Sequence, residues 1–424
     1  MAAQVLDLGV DLADPETFAR GDLGAYWRRL RHEDPVHWQP AASGRPGFWV
    51  VSRYADLMTV YRDPARFTSE QGNVLVTLLA GEDSAGGKMC AVTDGPRHRE
   101  VRNVLLKSFS PRVLAPIADR VRRNTARRVA RAVLLGECDF AAEVSEHVPM
   151  ATVSDLLGVP ESDRAFLLER SRETLSSGEA GQSEEDGWSA RSDILLYFAD
   201  LMEQRRGGDA EDVISVLVNA RINGAPLSRE EIVLNCYSLI LGGDETSRLT
   251  MNDVVHTLAG EHGQWLDLRE GRVGADSACE EALRWATPTM HFGRTATERV
   301  LLGGREIQPG DIVTVWHSSA NRDETVFADP DRFDLARTPN RHVAFGYGPH
   351  FCLGAHLARV EITALLDALR RFTSDIEVVG GTARFHSNFL AGFSRLPVRF
   401  TPDKARLSAF AAELKAELKA ERTA

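Results

Sequence analysis

The sequence predicts a mainly α protein with small β regions, one large domain over residues 1–402 followed by a helical tail over 403–424. Three observations carry this. Apolar residues recur at helical spacing through most of the chain, as at Leu357, Val360, Leu365, Leu369 and Phe372. Strand-like patterns are short and confined to three regions. No repeat or low-complexity linker marks an internal boundary, although a length of 424 residues would by itself suit two or three domains.

Composition excludes several classes. The chain is 43% hydrophobic and 26% charged, which separates it from disordered and collagen-like sequences. Its 50 basic against 61 acidic side chains leave a net charge of −11, and a general nucleic-acid binder needs a basic surface. The 5 cysteines form no C-x-x-C pair, which argues against a zinc ribbon or thioredoxin-type motif. Their odd, sparse count suits the reducing cytoplasm. No apolar run reaches the roughly 20 residues of a membrane helix. The N-terminus has no basic segment leading into an apolar one, so no signal peptide is expected.

Along the chain, residues 36–38 and 48–53 read as a strand pair joined through Gly44, Pro46 and Gly47. The Gly-rich stretches 72–87 and 176–187 read as exposed or mobile loops. Ser228-Arg-Glu-Glu231 is a capping box, with Leu227 placed to staple onto Ile232. The helix it opens extends to about residue 259, roughly 45 Å at 1.5 Å per residue. Its first half, IVLNCYSLIL, is apolar nearly all round and should cross the core. Ser277-x-x-Glu280 reads as the cap of a shorter helix. Residues 300–307 read as a hairpin turning at Gly303–Gly304, and after the Pro309-Gly310 turn comes a β-branched strand at Ile312–Trp316. Ala355–Phe372 is a third marked helix, and a last strand is expected at 398–401. In the tail, Leu407, Phe410, Leu414 and Leu418 form one stripe, which suits either docking onto the domain or a partner contact.

The stretch Phe345-Gly-Tyr-Gly-Pro-His-Phe-Cys-Leu-Gly354 is the most informative in the chain. It places Cys352 just before a helix N-terminus, where free N–H groups and the positive end of the dipole stabilise a thiolate. Its glycines allow positive φ and a close approach of backbone to a flat ligand. A thiolate with an open face is what haem iron needs for O–O cleavage. Two rival readings stand beside this one. The cysteine could be structural, or it could be a nucleophile with His350 as its base, although two residues away that side chain does not easily point the same way.

Position by position, this loop resembles the F-x-x-G-x-H-x-C-x-G haem signature of the cytochrome P450 family, and further family motifs follow in order over residues 14–402. The resemblance implies the cytochrome P450 fold, with haem b (iron protoporphyrin IX) between the long helix and the cysteine-loop helix. It makes Cys352 the axial iron ligand and places Phe345, Gly346, His350 and Gly354 against the cofactor.

The long helix carries Leu241-Gly-Gly-Asp-Glu-Thr246. Gly242 and Gly243 each weaken a helix by about 1 kcal/mol relative to Ala. The Thr246 hydroxyl can bond back to the Gly242 carbonyl and open the helix locally. Taken alone, this could be a tolerated glycine pair in a packed helix. The stretch resembles the family's oxygen-binding groove, which puts Gly242 and Gly243 beside the cofactor. It makes Glu245 and Thr246 the acid–alcohol pair for oxygen activation and proton delivery, using O2 rather than peroxide. The haem propionates need cations or donors. Matching positions are His98 and Arg102 (after Asp94-Gly-Pro96, where the family often has Pro-Pro), Arg294, and His350. Glu281 and Arg284 share a helix face and resemble the structural E-x-x-R motif, with Arg332 in Pro330-Asp-Arg-Phe333 as the third member. Arg112, Arg120, Arg122, Arg123, Arg127, Arg128 and Arg131 cluster with only Asp119 nearby to offset them. They read either as a solvated helix face or as a docking surface for an acidic electron donor.

The resemblance thus implies a haem-thiolate monooxygenase that inserts one atom of O2 into a mid-sized, mostly apolar small molecule of secondary metabolism, by hydroxylation or epoxidation. No flavin or iron–sulfur domain is fused, so a ferredoxin and a ferredoxin reductase are expected to bring electrons from NAD(P)H. Family pocket positions fall at 176–188 and on Val74, Leu75, Leu78 and Leu79; on Met89 and Val92; on Asn235 and Leu239; on Thr289, Met290, His291 and Phe292; and on Asn388, Phe389 and Leu390. GGDETSRLT and ATPTMHFGRTAT resemble stretches of tailoring members, some of which act on amino acids tethered to carrier proteins. Two alternatives remain: desaturation, ring-forming coupling or rearrangement at the same haem, and a non-catalytic binding protein of the same fold. Neither nucleic acid nor membrane is an expected partner.

Overall fold

The computed structural model describes residues 9–175, apart from 20, 22, 43 and 82, and residues 184–421; at 175, 184–186 and 413–421 it describes backbone alone. Its axis is the helix Arg229–Gly260. The expected capping box opens it: the Ser228 Oγ accepts from the Glu231 N–H at 3.1 Å, and the Glu231 carboxylate accepts from the Ser228 N–H at 2.8 Å. Leu227 and Ile232 are both buried in the largest apolar cluster. Around this helix pack Val148–Leu157, Glu184–Arg205 and Ala275–Ala286, and Pro111–Leu135 lies along the cysteine-loop helix Ala355–Phe372. The largest apolar cluster draws on residues from Cys90 to Phe410.

One five-stranded sheet walls the other side, in the order Val36–Gln39, Phe48–Val51, Ile312–Trp316, His291–Ala296, Phe67–Thr68. Its first pair is antiparallel with Trp38 opposite Trp49, and Ile312–Trp316 runs parallel to Phe48–Val51. The hairpin of Val300–Leu302 and Arg305–Ile307 turns at Gly303 and Gly304, both with positive φ (53° and 79°). Pro397–Pro402 fills the last strand position and pairs with Thr373–Val378 and Glu137–Asp139.

Two expectations are corrected and one strand is added. The Ala275–Ala286 helix is capped at Gly274 and not at Ser277, which lies inside its first turn and donates to the Leu335 carbonyl at 2.7 Å. Residues 72–87 are not simply an exposed loop. They contain the helix Leu75–Ala80, whose Leu75 and Leu78 are buried against Trp27, Met290 and Trp316. The strand His291–Ala296 had no sequence signal, because Gly293 and Arg294 interrupt its apolar pattern. Of the second loop, residues 176–183 lie outside the described residues. The tail forms the helix Lys404–Glu421. Leu407 and Phe410 are buried, and Phe410 packs on Phe372 with ring centroids 4.8 Å apart, so this end docks onto the domain. The Leu414 and Leu418 side chains lie outside the described residues.

Candidate active site

The cysteine loop is shaped by its glycines. Gly346 and Gly348 have φ of 67° and 74°, the left-handed region that favours glycine. A Cβ on Gly348 would lie 2.7 Å from the Tyr61 carbonyl oxygen. The Cys352 N–H donates to the Phe345 carbonyl at 3.0 Å and closes the loop. Burial pushes the Cys352 thiol up, while N–H groups of Gly354 and Ala355 and the charges of Arg102 and Arg359 pull it down. Arg359 is itself fixed by Glu280 through two bonds (2.6 and 3.0 Å) and covers the Phe345 ring at 4.6 Å. The sulfur is accessible, but what it faces is an internal cavity of about 440 Å³.

Across that cavity runs the long helix. The Thr246 hydroxyl donates to the Gly242 carbonyl at 2.9 Å, as the spacing predicted, yet the helix continues unbroken to Gly260. The two glycines have different reasons. A Cβ on Gly243 would meet Val153 Cγ2 at 2.9 Å, so close helix packing requires glycine there. A Cβ on Gly242 would meet no protein atom and would project into cavity space. Glu245 lines the cavity and is buried, with Oε2 accepting from Arg248 Nε at 3.0 Å while Oε1 has no partner. Beside it Asp244 is wholly buried with neither oxygen partnered, and burial followed by repulsion from Glu245 raises its pKa well above the carboxylate range.

One end of the cavity is cationic. His98, Arg102, Arg294 and His350 all line it. The rings of His98 and His350 lie 4.3 Å apart, and His350 Nε2 donates to Asp94 Oδ1 at 2.9 Å. His98 Nε2 is buried without a partner, and burial, then His350 and Arg102, lowers its pKa to about 4. Arg294 is buried, and among the described residues no carboxylate lies within ion-pair distance of it. A group bearing carboxylates fits these orphaned donors, and a flat one fits the glycine-floored gap opposite the sulfur. The residues present therefore suit the haem that the sequence implies.

Of the expected substrate residues, Val74, Met89, Asn235, Leu239, Thr289, Phe292, Phe389 and Leu390 line the cavity. Five do not. Leu75, Leu78 and Met290 turn into the cluster around Trp316, and Val92 packs with Ala85 and Leu234. His291 is fully buried against the Trp316 ring at 4.4 Å. Strand geometry explains the split at 291–292, since successive side chains leave a strand on opposite faces. Asn235 is not an available polar handle: its Oδ1 accepts from the Cys90 N–H (2.9 Å), and its Nδ2 donates to the carbonyls of Lys88 (3.1 Å) and Glu231 (2.7 Å). It clamps the 88–90 segment onto the long helix.

The cavity also holds residues that sequence reasoning missed, among them Tyr61, Tyr237, Ser238 and Glu361. Glu361 sits two turns into the cysteine-loop helix, where only its position on the apolar stripe could have flagged it. Burial lifts its pKa from 4.5 to about 7, against hydrogen bonds to Ser247 and Thr152. Because the folded value is the higher one, the stability this group contributes is complete below about 4.5 and is lost as pH rises through about 7. Glu361→Gln should escape that loss. Between pH 5 and pH 8 its stability should gain about 3 kcal/mol on the unaltered protein, read from melts across that range; parallel pH profiles would refute the assignment.

Scaffolding on the sulfur side departs from expectation in one member. Arg284 and Glu281 form a fully buried bidentate pair (2.8 and 2.7 Å). The third charge is Arg337, whose Nε reaches Glu281 Oε2 at 3.1 Å, and not Arg332. The Arg332 side chain is exposed, and only its carbonyl joins, accepting from Arg284 (3.2 Å) and Arg337 (2.8 Å). The arginine-rich helix Pro111–Leu135 is also less bare than its sequence suggests. Arg120 pairs with Asp155, Arg131 with Glu143 and Arg112 with Glu211, acids that come from other elements.

A family model described as Cytochrome P450 matches residues 275–400. Cytochrome P450 NovI of Streptomyces niveus is 47% identical over 92% of this chain and 96% of its own length. Linalool 8-monooxygenase of Pseudomonas putida is 33% identical over 92% of this chain and 99% of its own length. Among solved structures, P450 OxyD, described as involved in the biosynthesis of vancomycin-type antibiotics, superimposes with a TM-score of 0.84 at 34% identity, covering 93% of this chain and 100% of that one.

Proposed function

This chain belongs to the cytochrome P450 family, and we propose that it hydroxylates or epoxidises a mid-sized, mostly apolar intermediate of secondary metabolism. It is a haem-dependent monooxygenase. The observation that carries the substrate reading is a single cavity onto which Cys352, Thr246 and a predominantly apolar wall all open. Haem b, when bound, supplies the redox-active iron for O2 chemistry, in which one oxygen enters the substrate and the other leaves as water.

The protein's own groups supply position and protons. Cys352 would hold the iron, its sulfur meeting the N–H groups of Gly354 and Ala355. His98, Arg102, Arg294 and His350 receive the cofactor carboxylates. The Thr246 hydroxyl holds its proton at Oγ1, committed to Gly242 until a better acceptor enters the cavity. Glu245, pinned through one oxygen by Arg248, keeps the other free to pass a proton. Val74, Leu239, Phe292 and Phe389 exclude water and hold an apolar skeleton.

Thr246→Ala is expected to leave NAD(P)H consumption largely intact and to cut product formed per NAD(P)H by about fivefold or more, as removing one positioned proton-transfer group does. Unchanged coupling would remove Thr246 from this role. The reaction itself is tested by screening ligands for Soret shifts and weighing the products. Gain of one oxygen supports hydroxylation or epoxidation, whereas loss of two hydrogens assigns desaturation or coupling at the same site.

Electrons are assigned to a ferredoxin and its reductase. The solved P450 described as involved in the biosynthesis of vancomycin-type antibiotics favours a natural-product intermediate. In one version the substrate is an amino acid tethered to a carrier protein, and equal turnover of the free acid would exclude that version. Among the described residues no helix is long and apolar enough to cross a membrane, and all 5 cysteines are free thiols, which supports a cytoplasmic setting.

A further inference from the structure

Arg294 is an unusual cation. It is buried, and its hydrogen bond is to the neighbouring Gly293 carbonyl at 2.6 Å. Asp94 acts on it only from beyond ion-pair distance, and that carboxylate is already shared by His350, Thr68 and the Ser69 N–H. A buried guanidinium without a carboxylate is costly unless something else stabilises it. What faces it is the ring of Tyr61, whose centroid lies 5.3 Å from the guanidinium carbon. The negative face of an aromatic ring attracts such a cation and leaves its N–H edges available.

The ring is itself held. The Tyr61 hydroxyl lies 2.6 Å from His317 Nε2, and His317 Nδ1 lies 3.2 Å from the Thr289 carbonyl oxygen. A carbonyl only accepts, so Nδ1 carries the hydrogen and Nε2 accepts from the Tyr61 hydroxyl. Burial keeps His317 neutral, with a pKa lowered to about 3. On its other side Tyr61 meets the cysteine loop, where Gly348 leaves no room for a Cβ against the Tyr61 carbonyl. Tyr61 therefore stands between the loop that carries Cys352 and the strand that carries Arg294.

We propose that Tyr61, fixed by His317, is the positioning residue for Arg294: its ring face supports a guanidinium that no carboxylate among the described residues neutralises, and so reserves that charge for a carboxylate of the cofactor. This rests on the reading of Arg294 as a carboxylate ligand. The ring acts through Arg294 and need not touch the reacting atoms. The test is haem transfer from purified holoenzyme to excess apomyoglobin for Y61L, Y61F, R294Q and the double variant Y61L/R294Q. Midpoint potentials are measured alongside.

Y61L should release haem roughly tenfold faster, within the range of a desolvated cation–π contact. Y61F keeps the ring but loses the bond to His317 that holds it, so its release should fall between that of the unaltered enzyme and that of Y61L. In the R294Q background Y61L should add less than about twofold, because the partner it supports is gone, and Y61L should move the midpoint potential in the same direction as R294Q. Should Y61L not accumulate as holoenzyme, Y61M gives the same comparison without an aromatic face. Release from Y61F as fast as from Y61L overturns support by the ring. A full tenfold effect of Y61L in the R294Q background overturns action through Arg294. Both of those results leave Arg294 as a carboxylate ligand. If R294Q itself retains haem as the unaltered enzyme does, that ligand reading falls and this proposal falls with it.

Discussion

Cys352→Ser is expected to abolish monooxygenation, with turnover down on the order of a thousandfold or more, about 4 kcal/mol in activation free energy. The substitution changes one atom in a position that the rest of the loop already defines. The Cys352 N–H bond to Phe345 and the positive φ at Gly346 and Gly348 belong to backbone and survive it. The side chain faces the cavity and not the packed core, so stability should change by less than about 1 kcal/mol. What disappears is the sulfur proposed as the soft anionic iron ligand, the kind that favours O–O cleavage. The measurement is the absorption of the reduced, carbon-monoxide-treated protein together with product formation. The long-wavelength band of thiolate ligation should be lost while the cavity and its carboxylate-binding end still hold haem. A variant that kept both the band and the product would sink the assignment of Cys352.

Arg284→Ala is expected to cost about 3–5 kcal/mol, the range for removing one partner of a buried ion pair. Both side chains of the Glu281–Arg284 pair are fully inaccessible. Arg284 also donates to the carbonyls of Asn321, Pro330 and Arg332, so three acceptors, that of Asn321 buried, lose a donor with it. Against a total stability of roughly 5–15 kcal/mol, that removes between about a fifth and all of it. Arg337→Ala should cost less, because Arg284 and Asn340 still satisfy Glu281. Arg332→Ala should fall within about 0.5 kcal/mol, as surface substitutions do. Melting curves of the three variants read the order directly. A cost for Arg332→Ala equal to that for Arg337→Ala would reverse the correction made from the structure.

That correction shows where sequence reasoning runs out. Arg332 and Arg337 are five residues apart in a segment with no helical or strand period, so nothing local says which side chain turns inward. The same limit applies at Met290 and His291. Their place in the chain suggested pocket residues, but the strand register against Ile312–Trp316 sends His291 behind the wall while Phe292 faces the cavity, and Met290, just before the strand, packs into the cluster around Trp316. Asn235 was legible as a polar residue on an apolar helix. That its amide is spent on Lys88, Cys90 and Glu231 depends on a segment nearly 150 positions away.

Features governed by neighbours within a few residues could be read before any fold was known. The capping box of the long helix, the Gly303–Gly304 turn, the Thr246 bond to Gly242 and the glycine-rich bend before Cys352 all follow from backbone stereochemistry and short hydrogen-bonded rings, which close over three to five residues. Pairings across the molecule could not be read in this way: Arg337 on Glu281, Tyr61 beneath Arg294, the acids that offset the Pro111–Leu135 arginines, and the burial that raises the pKa of Glu361. Each depends on which distant surfaces meet when the apolar faces pack, and on the desolvation that follows. That is a property of the assembled core and is written in no single stretch of chain.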